Sequence, residues 1–207
     1  MQGVSNPCPE VMLARIGSLT KRIRIGSGGV LLQLQIFTRP ELWMLGSSDF
    51  GGLLAAQLGI RFAFAHFINA QYGHRVAEAY RERFVAGQRQ KPYLAAAVFV
   101  ICANTDKEAL ALENAVDMRR VQMAYGQNQS IPSIEQGIRQ TYSERELVVI
   151  AHEKARSIIG TPERATAQMH ALQEQFQADE LIVISVAGSY AARTRSYELL
   201  AEAFALG

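Results

Sequence analysis

The sequence predicts an α/β fold in which helices cover a parallel sheet. Two observations support this: predicted strands and helices alternate regularly from Arg61 onward, and the predicted strands are apolar along their whole length. Strands that are buried on both faces have this composition in parallel sheets. Hydrophobic residues make up 49% of the 207 residues, enough for a sizeable core. We expect a single domain over residues 1–207.

Composition excludes several classes of function. The net charge is +2 and no basic block stands out, so nucleic acid is not an expected partner. Cys8 and Cys102 have no metal-ligand spacing, and Cys102 is expected in the core. The polar start lacks a secretory apolar segment, and the run from Tyr93 to Ala103 is shorter than the ~20 residues of a membrane span. We expect no membrane partner and a soluble, cytoplasmic protein.

The most informative stretch, Glu41 to Gly59, reads as strand, turn and helix. Leu42 to Leu45 predicts a buried parallel strand, which Gly46 and the two serines after it end. The second serine, Ser48, is the predicted N-cap of a helix that ends at Gly59.

This turn predicts an anion site. The first N–H groups of the helix have no partner within it, and the Ser47 and Ser48 hydroxyls lie beside them. Gly46, Gly51 and Gly52 carry no side chain, so an anion such as phosphate can approach the backbone. The alternative interpretation is an ordinary capped helix after an ordinary turn.

Further elements follow from periodicity and capping signals. The link from Gln33 to Pro40 is too short for a helix-bearing crossover between neighbouring parallel strands. The other strands are predicted near Ile25 and at Arg61–Phe67, Tyr93–Ala103 and Glu180–Val186; helices are predicted at Pro9–Thr20, Gly73–Phe84, Thr105 to about Tyr125, Ser143 to about Ile159, from Thr161, and Ala191–Ala205.

The sequence offers one candidate catalytic residue. His66 lies at the carboxyl end of a predicted strand, where active sites of α/β proteins gather, although a structural histidine is the competing interpretation. His74, His152 and His170 fall on predicted helices, and no histidine pair has metal-binding spacing, so no metal site is predicted. No dinucleotide or nucleophile motif is present.

Several stretches together resemble the bacterial luciferase-like flavin monooxygenases, and within them the single-subunit, uncharacterised type. They are SNPCPEVMLARIGSLTKRIRIGSGGVLL, PELWMLGSSDFGGLLAAQLGIRFAFAHF, IIGTPE, ADELIVIS and RTRSYELLAEAF, in the order of the family. The resemblance implies a flavoprotein with a (β/α)8 TIM barrel. It also implies an oxidoreductase that uses reduced FMN and O2 to oxygenate a small organic substrate such as an aldehyde, with FMN reduced by a separate flavin reductase.

The resemblance also implies roles for individual residues. Ser27, Gly28 and Gly29 would line the flavin ring system, although from pattern alone these residues can simply mark a bulge. The FMN phosphate would be held by the turn after the second strand, whose residues are Gly46, Ser47, Ser48, Asp49, Phe50 and Gly51.

The chain departs from the family in length. About five parallel strands are recognisable, whereas a full barrel typically needs about 250 residues, so we expect an incomplete barrel that lacks N-terminal and central segments. This leaves open a non-catalytic flavin-binding relic or a partner subunit. We expect an incomplete sheet to expose large apolar side chains that a homodimer covers, namely Phe62, Phe64, Val98, Phe99 and Val100.

Overall fold

Five strands alternate with seven helices in the part of the chain that the structure, a computed structural model, describes: residues 41–87, 89–127 and 129–206. Four predictions concern residues outside these ranges: the helix Pro9–Thr20, the strand near Ile25, the flavin-lining Ser27, Gly28 and Gly29, and the link Gln33–Pro40. In order the elements are β1 (Trp43–Gly46), α1 (Asp49–Leu58), β2 (Arg61–Ala65), α2 (Gly73–Glu82), β3 (Leu94–Cys102), α3 (Asp106–Ala124), α4 (Ile134–Arg139), α5 (Glu144–Lys154), β4 (Ser157–Gly160), α6 (Pro162–Phe176), β5 (Glu180–Ile184) and α7 (Tyr190–Ala203).

The strands form one sheet in which every pairing is parallel, as predicted. The nine-residue strand β3 lies at its centre and pairs with β2, β4 and β5. The amide of Phe67, just after β2, donates to Ala97 O, and the amide of Ala103 donates to Gly160 O of β4. Ala97 and Ala103 are six positions apart, an even difference, so their backbone N–H and C=O groups point to the same edge of β3. Strands β2 and β4 therefore follow one another along one edge.

The opposite edge of β3 pairs with β5 and then with side chains. Beyond Ile184 two buried serines take over. Ser185 Oγ donates to Val100 O at 2.5 Å, and the Cys102 amide donates to Ser196 Oγ at 2.9 Å. The two serine oxygens lie 2.8 Å apart. Hydroxyl groups from the end of β5 and from α7 thus bond to two backbone groups of the edge that the short β5 leaves open.

Helices α2, α6 and α7 cover one face of the sheet. Phe62 contacts Tyr80 of α2 with ring centroids 5.4 Å apart, and Phe64 contacts Phe176 of α6 at 5.3 Å. The expected exposure of large apolar groups was wrong for four of the five residues, because this helical layer buries them within one chain. The four residues with 0% exposure are Phe62, Phe64, Val98 and Val100.

Two predictions about strands need correction. Strand β1 is not buried, since Leu45 is 48% exposed and β1 pairs only with β2 among the described strands. The helix predicted to end near Ile159 instead ends at Lys154, and Ser157–Gly160 forms β4. A short apolar run fits either element by periodicity, and pairing with the end of β3 decides it here.

A short helix that was not predicted, α4, begins after Ser133. The Ser133 hydroxyl accepts from the Gln136 amide and the Gln136 side chain accepts from the Ser133 amide, which is a complete capping box. Gly137 lets this helix approach α3 closely, because a Cβ at that position would lie 2.5 Å from Ala115 N.

Several predicted boundaries are confirmed. Gly59 ends α1 in the left-handed conformation, with φ 61° and ψ 35°. Ser143 and Glu146 form a complete capping box, and Thr161 precedes Pro162 at the start of α6. Among the residues that the structure describes, no helix is long and apolar enough to cross a membrane.

The serine pair leads to a prediction about stability. Ser196→Ala leaves the buried Cys102 amide without its acceptor, and we expect a loss of about 1–3 kcal/mol in the free energy of unfolding. Urea denaturation of the full chain measures it, with the exposed Ser130→Ala as control. Equal stability of the two variants would contradict the assigned role of Ser196.

Candidate functional site

The predicted anion turn and His66 both lie at the carboxyl end of the sheet, where the parallel strands end. In the register of the β1–β2 pair, Gly46 is opposite Phe64, so the turn after β1 and the residues that follow β2 are at adjacent carboxyl ends. The structure thus brings together two features that are separate in the sequence. Ligands of open parallel sheets bind outside the carboxyl ends of the strands.

The turn has the backbone that the sequence predicts. Ser48 is the N-cap, with φ −140° and ψ 165°, and the Gly52 amide donates to its carbonyl at 3.3 Å. The amides of Asp49, Phe50 and Gly51 precede this bond and have no acceptor within the helix. The Ser48 side chain makes no capping hydrogen bond. Its hydroxyl is therefore not used by the helix and is exposed with the turn.

The glycines of this segment differ in what they do. A Cβ on Gly46 would lie 3.4 Å from the Gly51 Cα atom and 3.5 Å from the Phe62 ring, which are ordinary van der Waals distances, so packing does not require glycine at either position. Gly52 is buried, and a Cβ there would lie 2.8 Å from Val76 Cγ1 of α2. Gly52 therefore serves helix packing, which corrects the expectation that it opens the backbone to an anion.

One side chain at this edge was not predicted from the sequence. Asn69, in the loop between β2 and α2, donates from Nδ2 to Ser47 O at 3.3 Å. Its Oδ1 accepts from the Gln71 amide at 3.0 Å. The only sequence signal is an asparagine soon after a predicted strand, which does not indicate a partner 22 residues away.

The charges around the turn are not strongly positive. Asp49 is an exposed carboxylate in the first turn of α1, where it interacts favourably with the helix dipole. It would also repel an anion bound at the same place. The backbone amides and the two serine hydroxyls are therefore the groups of this turn that can donate hydrogen bonds to an anion.

His66 lies in a different environment from the turn. Its side chain is largely buried and packs edge-on against Phe176 of α6, with ring centroids 5.9 Å apart. Burial lowers the pKa of the imidazole, while the backbone of Arg156 raises it to a smaller extent. Within the described residues its buried Nδ1 has no hydrogen-bond partner. Contact with the helical layer fits a structural histidine, and a catalytic role for His66 stays a prediction.

A cavity of about 310 Å³ lies between α2 and the end of α6. Its lining includes His74, Glu78 and Arg81, and none of its lining residues is a predicted site residue. In the same described ranges, no group of three or more His, Cys, Asp and Glu side chains is placed to hold a metal ion.

Comparison with known proteins identifies the family. The luciferase-like monooxygenase family matches residues 31–178. The chain belongs to this family. The crystal structure of apo-MsnO8 is similar, with 32% sequence identity and a TM-score of 0.76 over 86% of this chain and 56% of that one. The five-stranded parallel sheet is therefore an incomplete form of the (β/α)8 barrel of luciferase-like monooxygenases.

Two Bacillus subtilis relatives show how the chain differs in length. The uncharacterized protein YwcH is 37% identical over 82% of this chain but only 52% of its own length, so the chain spans about half of that relative. The uncharacterized protein YceB is 27% identical over 282 residues, covering 98% of this chain and 85% of its own length. Since this chain has 207 residues, YceB has segments between the matched parts that are without a counterpart here.

The buried imidazole gives a pH-dependent prediction. A histidine whose folded pKa lies below 6.5 resists protonation in the fold, so the unfolded chain binds more protons as the pH falls below 6.5. Wild-type stability should therefore decrease between pH 7 and pH 5 more steeply than that of His66→Gln. Urea denaturation across this range measures the slopes, with the exposed His152→Gln as control. If wild type and His66→Gln have the same slope, His66 is not held neutral by burial.

Proposed function

We propose that the chain is an FMN-dependent monooxygenase that uses reduced flavin and O2 to oxygenate a small, aldehyde-like organic substrate. Family membership supports the monooxygenase class, and the observation that carries the cofactor assignment is the turn from Gly46 to Gly51. This turn presents free amides and a serine hydroxyl group that does not cap the helix, all able to donate hydrogen bonds, at the carboxyl end of a parallel sheet, which suits a phosphate group. Reduced FMN, when bound, supplies the electrons with which O2 is activated.

The turn can distinguish FMN from riboflavin because only FMN carries a phosphate. The amides of Asp49, Phe50 and Gly51 and the hydroxyl groups of Ser47 and Ser48 provide the donors. Donors at a helix start are fixed before the ligand arrives, so little reorganisation is needed on binding. The proposal also keeps the ring-lining role of the glycine-rich stretch that begins at Ser27, and His66 as the candidate catalytic residue.

A second candidate function is a non-catalytic flavin-binding protein or a subunit that completes another chain's barrel. The observation that favours it is that YceB, within its match to this chain, has internal segments that are without a counterpart here. FMN binding together with an absence of product from reduced FMN, O2 and a series of aldehydes would favour this function over the enzyme.

A homodimer and a cytoplasmic location complete the proposal. The homodimer rests on the tendency of luciferase-like barrels to dimerise. Exposed apolar side chains no longer argue for it, because Phe62, Phe64, Val98 and Val100 are buried within one chain. Light scattering at micromolar concentration measures the assembly, and a stable monomer would exclude the homodimer.

The phosphate assignment predicts a ligand preference. Wild type should bind FMN more tightly than riboflavin, and Ser48→Asp should weaken FMN by about tenfold or more while changing riboflavin little. The reason is that the variant places a carboxylate beside the phosphate dianion. Fluorescence titration measures both flavins, with Ser130→Asp as a matched charge control outside the turn. Equal affinities of wild type for the two flavins would refute the assignment.

The absence of a dinucleotide motif from the sequence predicts the source of electrons. We expect FMN bound to this protein to be reduced slowly by NADPH alone, and rapidly only after a flavin reductase is added. Anaerobic stopped-flow absorbance of the flavin follows the reaction. Rapid reduction by NADPH without any reductase would contradict a separate reductase partner.

A further inference from the structure

We propose that Asn69 is a positioning residue of the turn from Gly46 to Gly51. Through Asn69, the loop after β2 fixes the backbone that binds the flavin phosphate. The inference rests on the proposed function, because the turn must first hold a phosphate. Asn69 itself is not assigned any contact with the ligand. Its role is to hold the carbonyl of Ser47, which immediately precedes the N-cap Ser48.

Both ends of the Asn69 amide are engaged, which fixes its orientation. Oδ1 accepts the Gln71 amide at 3.0 Å, so this atom is the acceptor and Nδ2 is the donor toward Ser47 O at 3.3 Å. The Asn69 backbone is held in turn, since its own amide donates to Ala65 O at 3.2 Å. The side chain is therefore a bridge from the end of β2 to the turn after β1.

The turn needs such support because its own cap does not supply it. Ser48 occupies the N-cap position, yet its side chain makes no capping hydrogen bond to the first turn of α1. The peptide between Ser47 and Ser48 joins the end of the strand to the N-cap, and rotation about the soft dihedral angles on either side of it changes its orientation. The bond from Asn69 to Ser47 O holds that peptide from outside the helix.

Burial supports a positioning role over a solvent-exposed one. Asn69 is partly buried, whereas Gln71 in the same loop is exposed and contributes only its backbone amide to the bridge. The loop also begins directly after the fully buried end of β2, so the bridge joins the turn to the rigid part of the sheet. A shift of this loop would be transmitted to the amides that bind phosphate.

The experiment compares Asn69→Leu with Gln71→Leu, which adds the same side chain to the same loop without removing the bond to Ser47. Hydrogen exchange of the ligand-free full chain should be faster for the Gly46–Gly51 peptide in Asn69→Leu and unchanged in Gln71→Leu. FMN affinity should fall about threefold to tenfold in Asn69→Leu, as expected for the loss of one hydrogen bond, while riboflavin affinity stays the same. Asn69→Ser, which cannot reach Ser47 O, replaces Asn69→Leu if that variant does not fold.

The outcomes separate the two proposals. If wild type binds FMN more tightly than riboflavin and Asn69→Leu keeps the same preference, the positioning role is overturned and the phosphate site stands. An equal loss of affinity for FMN and riboflavin in Asn69→Leu also overturns it, because the effect is then a general loss of structure. Wild type without any preference for FMN overturns the proposed function and the positioning role together.

Discussion

The backbone of β3 must find hydrogen-bond partners along both edges, and the rest of the sheet depends on how this is achieved. The nine-residue strand is longer than any of its neighbours and largely buried. Two short strands divide one edge between them, and β5 covers the first half of the other. Beyond β5, Ser185 bonds to the Val100 carbonyl and Ser196 to the Cys102 amide. Because buried backbone groups without partners are costly, helix α7, which carries Ser196, is tied to the position of the sheet.

This arrangement leaves the candidate site two strands away from the centre. The turn from Gly46 to Gly51 follows β1, which pairs only with β2 among the described strands and is partly exposed. Side-chain and packing contacts hold the turn where strand pairing does not. Gly52 lets α1 lie directly against Val76 of α2, and Asn69 holds the Ser47 carbonyl. Both contacts come from the segment after β2, so that segment touches the turn as well as the helix that follows it.

Local signals predicted most elements, and long-range contacts explain what the sequence missed. Gly59 and Thr161 mark helix ends because caps depend on neighbouring residues. The strand Ser157–Gly160 was mistaken for helix, since only its partner β3 shows that it is extended. Ser196 reads as an ordinary helical residue, but its partner amide is 94 residues away. For the site, the turn and its serines were predictable, whereas Asn69 was not, because its bond to the turn joins two separate loops.

The charges at the carboxyl ends of β1 and β2 explain why, for an anion, the geometry of the turn matters more than side-chain charge. His66 is held toward its neutral form by burial, so it does not supply a positive charge near pH 7. Asp49 contributes a negative charge in the first turn of α1. In the proposed function, the attraction of this turn for a phosphate therefore comes from oriented amides and hydroxyl groups. The strength of such donors depends on their direction as well as their number, which is why we propose that Asn69 acts on affinity without touching the ligand.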